Sequence, residues 1–236
     1  MAVTSYLRSL ERSRHARTRM DRPAVFTMCG REWDLLPDVF APIYSPSTGA
    51  ALEFLGLGER LALPRAGSFL EIGCGTGIIA VSAALAGCDR VVATDVNPAA
   101  VMNTAANAAR HGVADRLTAT HSDLFDRLDQ RERFDVIFWS SNYVAAPAGY
   151  EYKNAHERAY VDPGYRTHRR FLAEAPRRLA PGGAILLHFS TRGDMAGLRR
   201  SADENGRSLR VLRSAVIREG DVSVEHMLIE VAGVSA

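Results

Sequence analysis

The chain has no long hydrophobic run and little cysteine, and each shortage excludes a class of protein. No apolar stretch approaches the roughly 20 residues that a membrane-spanning helix needs, so we expect no membrane partner. Six arginines interrupt the first 22 residues, where a signal peptide would need an apolar core. Cys29, Cys74 and Cys88 do not have metal-ligand spacing, and an odd, scattered set suits a reducing compartment. We therefore expect a cytoplasmic protein without a metal site.

Lysine is also nearly missing, and the positive charge is unevenly placed. Lys153 is the only lysine, and residues 1–22 carry six arginines against two acidic residues, although the whole chain has a net charge of only +2. The remainder of the chain is therefore slightly acidic. A nucleic-acid enzyme usually carries its positive field around the active site, so nucleic acid is disfavoured as a partner. The N-terminal arginines are better explained by a solvated arm or helix.

From residue 68 onward, short apolar runs alternate with helical patterns. Strands are predicted at 69–72, 90–94, 117–121, 134–139 and 184–189. Helices are predicted at 78–86, from the Asn97 cap to Gly112, and near 167–179, where Pro181-Gly182-Gly183 follows. Continuous apolar strands that alternate with helices are typical of a parallel sheet covered on both faces.

The C-terminal region has a different pattern. Two extended runs, 209–217 and 223–231, are joined by the turn signal Glu219-Gly220-Asp221 with no helix between them. This pair is predicted to be antiparallel. The fold class is therefore α/β: a Rossmann-like, doubly wound, mostly parallel seven-stranded sheet that ends in a C-terminal antiparallel hairpin.

A glycine-rich loop, Gly73-Cys74-Gly75-Thr76-Gly77, links the first strand of this sheet to its helix. Glycines let the backbone turn sharply and come close to a ligand, while the helix N-terminus presents free amides. The dinucleotide fingerprint would place a glycine at Ile78, and the preceding Glu71 lies outside that fingerprint. The spacing therefore disfavours a nicotinamide dehydrogenase. An acid at the end of the next strand, Asp95, could accept both hydroxyls of a ribose.

These features resemble the cofactor site of class I S-adenosylmethionine-dependent methyltransferases, over about residues 65–145. The resemblance implies that the glycines pass under the methionine part of the cofactor, that Asp95 holds the ribose, and that Asp123 meets the adenine amino group. It implies this set of cofactor-binding residues: Glu71, Gly73, Cys74, Gly75, Gly77, Asp95, Val96, Asp123, Leu124 and Ser140. Each residue alone could be a strand-end acid or part of a tight turn; their order and spacing favour a cofactor site.

The fourth strand ends in Ser140-Ser141-Asn142-Tyr143. In the branch of this family that methylates planar amide or amine nitrogens, the same place holds Asn-Pro-Pro-Tyr or a close variant. That branch includes the release-factor glutamine methyltransferases and small ribosomal-RNA methyltransferases. The resemblance implies catalytic roles for Ser140, Asn142 and Tyr143, the tyrosine also contacting the substrate. The alternative is a polar strand end that caps the next helix.

Segments on either side resemble the same branch. Residues 38–42 and 45–48 are similar to the segment that crosses over the cofactor pocket, and residues 162–165 and 169–176 to the stretch before the fifth strand. We predict an N-terminal arm or lid at residues 1–45 and a methyltransferase domain at residues 46–236, with no separate recognition domain before it.

A long connection from Val144 to Thr167 follows the polar stretch directly and is rich in tyrosine. Long connections in compact domains are often lids or binding loops. We predict that Tyr150, Tyr152 and His156 bind substrate there, with the histidine as a candidate proton acceptor. The alternative is a surface loop whose tyrosines pack on the body.

The sequence thus predicts an S-adenosylmethionine-dependent methyltransferase. We expect a small-molecule acceptor, through N- or O-methylation of a specialised metabolite, because the motif is altered and the body has no basic face. The alternative is a protein substrate, through glutamine N-methylation. An RNA methyltransferase, and an inactive protein that only binds the cofactor, rank behind these two.

Overall fold

The computed structural model describes residues 5–58 and 66–233. Residues 1–4 of the predicted arm lie outside the described residues, as do residues 59–65 and 234–236 of the predicted methyltransferase domain.

Helices and strands alternate along most of the chain. The helices are α1 (Tyr6–Thr18), α2 (Ser47–Leu55), α3 (Ile78–Leu85), α4 (Pro98–Arg110), α5 (Arg166–Glu174) and α6 (Met195–Glu204). The strands are β1 (Val25–Met28), β2 (Arg31–Asp34), β3 (Ser68–Ile72), β4 (Arg90–Asp95), β5 (Leu117–His121), β6 (Phe134–Ser140), β7 (Ala145–Ala146), β8 (Asp162–Pro163), β9 (Leu179–Ser190), β10 (Arg207–Glu219) and β11 (Val222–Gly233). Short 3-10 helices cover Pro42–Tyr44, Ala155–Ala159 and Ala175–Arg178.

The central sheet has seven strands in the order β10-β11-β9-β6-β3-β4-β5. Strand β11 runs antiparallel to both of its neighbours, while β9, β6, β3, β4 and β5 pair in parallel. This confirms the predicted fold class, including the C-terminal hairpin. Two further pairs lie outside this sheet: β1 with β2 antiparallel, and β7 with β8 parallel.

Local signals account for helix α4. The Asn97 side chain accepts a hydrogen bond from the amide of Ala99, Pro98 occupies the first position, and Gly112 follows the helix with a positive φ of 66°. A side-chain acceptor at the N-cap satisfies one of the amides that the first turn leaves unpaired. The predicted start and stop of this helix are therefore confirmed.

The helix predicted near residues 167–179 ends earlier than expected. Helix α5 stops at Glu174, a 3-10 helix with Pro176 follows, and β9 begins at Leu179. Proline lacks the amide that the α-helical pattern needs, which explains the change of geometry. The Pro-Gly-Gly stretch consequently lies inside β9. There a Cβ on Gly183 would come within 2.7 Å of the Asp135 carbonyl oxygen, so only glycine lets the neighbouring strand approach.

Apolar clusters cover both faces of the sheet. Alternate residues of a strand point to opposite faces, so Phe69 and Leu70 fall in different clusters. Trp33 and Val39 are fully buried in the cluster that holds Phe69. This segment therefore packs on the body, while the division at residue 45 stays a prediction. Within the described ranges, no helix has the length and apolar character to cross a membrane.

Candidate active site

A cavity of about 570 Å³ lies at the carboxyl ends of β3, β4, β5 and β6, between the sheet and helix α1. In open α/β sheets ligands bind outside the carboxyl ends of the strands, so this is where a cofactor is expected. The predicted site residues line this cavity with two exceptions, Gly77 and Tyr150.

The glycine loop forms the floor of the cavity. The amides of Gly73 and Cys74 both donate to the Thr94 carbonyl, at 2.7 and 3.0 Å, which fixes the loop against β4. Gly75 has a positive φ of 54°, and a Cβ built on it meets no atom within 4 Å. The space above Gly75 is therefore open to a ligand that approaches the backbone closely.

Gly77 has a structural role in the loop. A Cβ on this residue would lie 2.8 to 2.9 Å from the side chain and Cα of Thr104 on α4. Its φ of 80° also favours glycine. Gly77 is thus required for the close packing of the loop against α4, while its contact with the cofactor stays a prediction.

Glu71 supports the loop from beneath. Its Oε2 accepts a hydrogen bond of 2.8 Å from the amide of Ala80, in the first turn of α3. Its side chain is buried, and burial raises the pKa of this carboxyl well above its usual range. Glu71 therefore holds the start of α3 in place at the cavity wall.

Asp95 lies at the end of β4 and joins the loop to the next helix. Its two carboxylate oxygens accept from the amides of Gly75, at 2.9 Å, and Asn97, at 2.8 Å. Burial raises the pKa of Asp95, and these amide bonds oppose that rise. Each carboxylate oxygen offers two lone pairs, so both can accept a further donor from the cavity. Val96 lies beside it in the cavity wall.

Asp123 follows β5 and is held by two arginines. One oxygen lies 2.9 Å from Arg170 and the other 3.4 Å from Arg158. Leu124, which comes next, has a positive φ of 52°, which turns the chain sharply at the cavity wall. The predicted contact of Asp123 with an adenine amino group therefore has to share a carboxylate that two guanidinium groups already use, and it stays a proposal.

The polar stretch that follows β6 lies at the other end of the cavity. Ser140 Oγ is 3.1 Å from His188 Nδ1, and the Ser141 hydroxyl donates to the His188 carbonyl at 3.0 Å. The Asn142 amide nitrogen donates to the carbonyls of Arg158 and Val161, both at 2.8 Å. Its Oδ1 is buried at the cavity wall and has no hydrogen-bond partner among the described residues. Asn142 thus anchors the following loop and offers an acceptor to the cavity.

Tyr143 closes this end of the cavity. Its carbonyl accepts a 2.6 Å hydrogen bond from the hydroxyl of Tyr165, and its ring meets His188 and Phe189 edge to face. Burial raises the pKa of the Tyr143 hydroxyl, so this group is neutral at physiological pH. The ring is therefore fixed in position as an apolar wall.

The connection after the polar stretch supplies a second wall. Tyr152 donates to the Val161 carbonyl at 3.1 Å and lies under the Arg158 guanidinium. His156 is buried, and its Nδ1 lies 2.8 Å from Ser13 Oγ of α1, while its Nε2 has no partner among the described residues. Burial lowers the pKa of His156 to about 4, so the ring is neutral at physiological pH.

Tyr150 is not part of the cavity. Its hydroxyl donates to Glu157 at 2.8 Å, and its ring packs edge to face with Tyr6 of α1 and with Tyr152. The predicted substrate contact of Tyr150 therefore gains no support from this cavity and stays a prediction. The residue helps to hold α1 against the connection.

Residues that the sequence analysis did not assign also line the cavity. The foremost is Arg12 of α1, which had been attributed to a solvated arm, and Tyr44 is another. Burial and the charge of Arg192 lower the pKa of Arg12, which reflects its position inside the structure. One local signal separates Arg12 from the exposed arginines around it. Arg12 lies on the same helix face as the small residues Ser9, Ser13 and Ala16, which are the buried residues of α1.

Several buried polar atoms in the cavity wall have no hydrogen-bond partner among the described residues. They are Arg12 Nε, Tyr44 OH, Thr94 Oγ1, Asn142 Oδ1 and His156 Nε2. Buried polar atoms are nearly always paired, so unpaired atoms in residues around one cavity are accounted for by a polar ligand or by ordered water. Together with the open space above Gly75 and the carboxylate of Asp95, they fit an S-adenosylmethionine molecule and a second, polar molecule. No cluster of metal-binding side chains occurs within residues 5–58 and 66–233.

The chain is similar to known methyltransferases. Residues 46–148 match the family model for ribosomal protein L11 methyltransferase (PrmA). A release factor glutamine methyltransferase of Bordetella pertussis is 33% identical over 184 residues, which cover 72% of this chain and 65% of that protein. A ribosomal protein L11 methyltransferase of Acinetobacter baumannii is 40% identical over 78 residues, 33% of this chain and 25% of that protein. The chain thus spans a quarter to about two thirds of the length of these relatives.

Solved structures share the fold. A ribosomal protein L11 methylase from Lactobacillus delbrueckii subsp. bulgaricus superimposes with a TM-score of 0.54 at 16% identity, over 79% of this chain and 78% of that one. A 16S rRNA methyltransferase of T. Thermophilus, in complex with AdoMet and guanosine, gives a TM-score of 0.58 at 22% identity, over 87% of this chain and 49% of that one. This chain has a class I methyltransferase fold. The relatives and the fold together support an enzyme that depends on S-adenosylmethionine.

These relatives bear on the predicted acceptors. Their names refer to ribosomal protein L11, a release factor and 16S rRNA, and a further relative is named a probable cobalt-precorrin-6B methyltransferase. None supports the predicted methylation of a specialised metabolite. The expectation that nucleic acid is disfavoured also gains no support, while the alternative of protein glutamine methylation is supported in part.

Proposed function

We propose that this chain transfers the methyl group of S-adenosylmethionine to a nitrogen or oxygen atom of a small polar acceptor, which it encloses beneath helix α1. In this assignment Gly73 and Gly75 approach the cofactor through their backbone, and Asp95 accepts its ribose hydroxyls. The cofactor supplies a methyl group made electrophilic by its positively charged sulfur. The chain itself binds, orients and shields the two reactants, which is where most of the rate of such a transfer arises.

The observation that carries the small acceptor is the position of α1. On one side of the cavity, Ser9 and Ser13 bond to the Tyr160 carbonyl and to His156, at 2.9 and 2.8 Å. On the other side, Arg12 lies 3.9 Å from Glu219 at the tip of the C-terminal hairpin. Helix α1 thus bridges both walls of the acceptor end, and a bulky substrate would have to displace it.

Further contacts hold this helix. The Arg22 side chain, just beyond α1, donates to the carbonyls of Leu36 and Val39 at 2.9 and 2.6 Å. Hydrogen bonds to a charged group contribute at most about 1.5–3 kcal/mol each, and these two are partly exposed. The position of α1 over the cavity is therefore tied to the folded body.

The unpaired atoms at this end define the chemistry of the acceptor. Arg12 Nε is a buried N–H donor of the positively charged guanidinium, and such a donor favours an anionic or carbonyl oxygen. Asn142 Oδ1 is a buried acceptor, which favours an N–H or O–H group. An acceptor that carries a nucleophilic N–H or O–H and an acidic or carbonyl group satisfies both.

A second candidate is the side-chain amide of a glutamine in a protein substrate. It is favoured by the 33% identity to a release factor glutamine methyltransferase over 72% of this chain. A primary amide also has the N–H and carbonyl groups that Asn142 and Arg12 would satisfy. For this candidate, α1 has to move aside when the protein substrate binds.

The experiment is transfer of label from methyl-labelled S-adenosylmethionine into an extract of the source organism, separated by size afterwards. Label in the low-mass fraction supports a small acceptor. Label that protease releases supports glutamine methylation and overturns the small acceptor, and label that ribonuclease releases overturns both. The matched control is Asp95→Ala, which should abolish every signal by removing the proposed ribose acceptor.

A further inference from the structure

A line of hydrogen-bonded side chains leads away from the acceptor end of the cavity. Ser140 Oγ lies 3.1 Å from His188 Nδ1, and His188 Nε2 lies 3.1 Å from His226 Nδ1. His226 Nε2 in turn lies 2.8 Å from Glu219 Oε1. We refer to Ser140, His188, His226 and Glu219 as the relay.

The relay crosses four neighbouring strands of the sheet. Ser140 ends β6, His188 lies on β9, His226 on β11 and Glu219 at the end of β10, in the spatial order of those strands. Both histidine rings are fully buried and nearly parallel, with centroids 5.2 Å apart and an angle of 10° between the rings. Buried imidazoles joined in series are costly to keep without a function, because each polar nitrogen loses its hydration and needs a hydrogen-bond partner to offset that loss.

Hydrogen-bond logic fixes the direction of this line. The second oxygen of Glu219 receives two bonds from Arg192, at 2.7 and 2.6 Å. Burial alone would raise the pKa of Glu219, but the bonds from His226 and Arg192 outweigh it and lower the pKa. Glu219 is therefore a carboxylate and can only accept. His226 then donates from Nε2, and in the neutral ring its Nδ1 accepts from His188.

The same logic continues to the cavity. His188 donates from Nε2, so its Nδ1 accepts the proton of the Ser140 hydroxyl. The Ser140 oxygen then presents only lone pairs to the cavity, as the side-chain oxygen of an asparagine would. This explains how a serine can stand at the position where the related branch has an asparagine.

From this geometry we propose that the relay removes the proton from the methyl acceptor, with Ser140 as the catalytic residue and His188, His226 and Glu219 acting through it. The proposal rests on the proposed methyl transfer. As the acceptor atom bonds to the methyl carbon, the sulfur–carbon bond breaks and its electron pair stays on sulfur. The acceptor's proton passes to Ser140 Oγ, the serine proton to His188 Nδ1, and the His188 Nε2 proton to His226 Nδ1.

The proton comes to rest on His226. That ring then holds protons on both nitrogens, and its charge faces the Glu219 carboxylate. Burial and the charge of His226 lower the pKa of His188 to about 3, so His188 passes the proton on rather than keeping it. Arg192 and Arg12 are the other charged groups at Glu219 and keep it ionised. The carboxylate orients and stabilises the imidazolium, as in an acid–base triad.

The first test reads the tautomers directly and needs no acceptor. Protein labelled with nitrogen-15 histidine is studied by nuclear magnetic resonance near pH 7. We expect His188 and His226 to be neutral with protons on Nε2 that exchange slowly with water. In Ser140→Ala the Nδ1 resonance of His188 should shift, because it loses its hydrogen-bond donor. A proton on Nδ1 of either ring, or a doubly protonated His188, would overturn the proposal.

The second test uses initial rates of label transfer from methyl-labelled S-adenosylmethionine into the extract. Glu219→Gln and His226→Gln should each lower turnover by roughly a hundredfold, the size of a typical general-base effect. The affinity for S-adenosylmethionine by calorimetry should be unchanged. Glu230→Gln is the matched control, because Glu230 lies on β11 in an exposed pair with Arg210 and should leave the rate unaltered.

The outcomes separate this proposal from the proposed function. If the parent protein binds S-adenosylmethionine and transfers label while both relay variants do so at the parent rate, the relay is overturned and methyl transfer stands. If the parent neither binds the cofactor nor transfers label, methyl transfer fails, and the relay as a proton path for it fails too. Unfolding temperatures of the variants within a few degrees of the parent exclude a loss of folding, and His226→Gln provides a second variant if Glu219→Gln is unstable.

Discussion

Removal of the Asp95 carboxylate should abolish tight cofactor binding. In the structure each Asp95 oxygen already accepts one backbone amide, from Gly75 at 2.9 Å and from Asn97 at 2.8 Å. The remaining lone pairs face the cavity, where we assign the two ribose hydroxyls. An Asp95→Ala change therefore removes two charged hydrogen bonds to the ligand and also frees the loop that carries Gly75.

The size of the effect follows from those bonds. A hydrogen bond to a charged group contributes roughly 1.5–3 kcal/mol, so two of them contribute about 3–6 kcal/mol. Because every 1.4 kcal/mol changes an affinity tenfold, the Kd for S-adenosylmethionine should rise by at least about a hundredfold. Loss of the loop anchor can only add to this rise.

Calorimetric titration of S-adenosylmethionine into parent and variant measures this directly. Asp89→Ala is the matched control, because Asp89 also accepts a backbone amide, that of Gly67 at 2.7 Å, but lies at the opposite end of β4 outside the cavity. The control should bind with the parent affinity. An Asp95→Ala protein that unfolds at the parent temperature and binds within about threefold of the parent would refute the ribose assignment.

Other sites give further predictions. Gly75→Val should block cofactor binding by calorimetry, with a loss of stability of about 1–3 kcal/mol because valine is strained at a φ of 54°. Gly77→Ala should lower stability by about 1–3 kcal/mol, because its Cβ overlaps α4. Burial lowers the pKa of His156 from 6.5 to about 4 in the folded protein. As the pH falls, the histidine is therefore protonated first in the unfolded chain. The contribution of this group to stability should be complete above about pH 6.5 and should decline towards pH 4. The decline in Tm at low pH should be smaller in His156→Gln. An equal decline would contradict the lowered pKa of His156. Asn142→Ala should slow label transfer tenfold or more while cofactor titrations stay unchanged; transfer at the parent rate would exclude Asn142 from the acceptor site.

The sequence predicts the parts of this structure that local signals determine. The Asn97 cap and Pro98 specify the start of α4, and alternating apolar runs specify the sheet and its hairpin. The C-terminal end of α5 was predicted too late in the chain. The apolar pattern continues past Pro176, while the backbone hydrogen-bond pattern changes there. Helix α6 was not predicted; its N-cap residue Asp194 makes no side-chain capping bond, and its first turn has no acidic residue.

The cavity residues at the ends of β3, β4 and β5 could largely be predicted to lie together, because they follow one another in the chain with fixed spacing, while their contact with the cofactor stays a prediction. The residues at the acceptor end could not be predicted to lie together, because they come from distant segments. These segments meet only when the strands pair in the sheet and α1 packs over the cavity. Arg12 and His156 are far apart in sequence but line one cavity, and His188 and His226 come together because β11 pairs with β9. One local signal did point to this group: His188 stands within the apolar run of β9. An unpaired polar group in a buried strand is costly, so this histidine needs a hydrogen-bond partner.

The stretch from Ser140 to Tyr143 shows how backbone rigidity can be supplied without proline. Two prolines would restrict the backbone of this stretch locally, by fixing φ at each position. Here the amide and hydroxyl of Ser141 both bond to the His188 carbonyl, at 3.2 and 3.0 Å. Asn142 bonds to two carbonyls of the following loop, and the Tyr143 carbonyl accepts from Tyr165. The stretch is therefore held by long-range hydrogen bonds instead of by its own covalent structure, and for that reason its order could not be predicted from its residues alone.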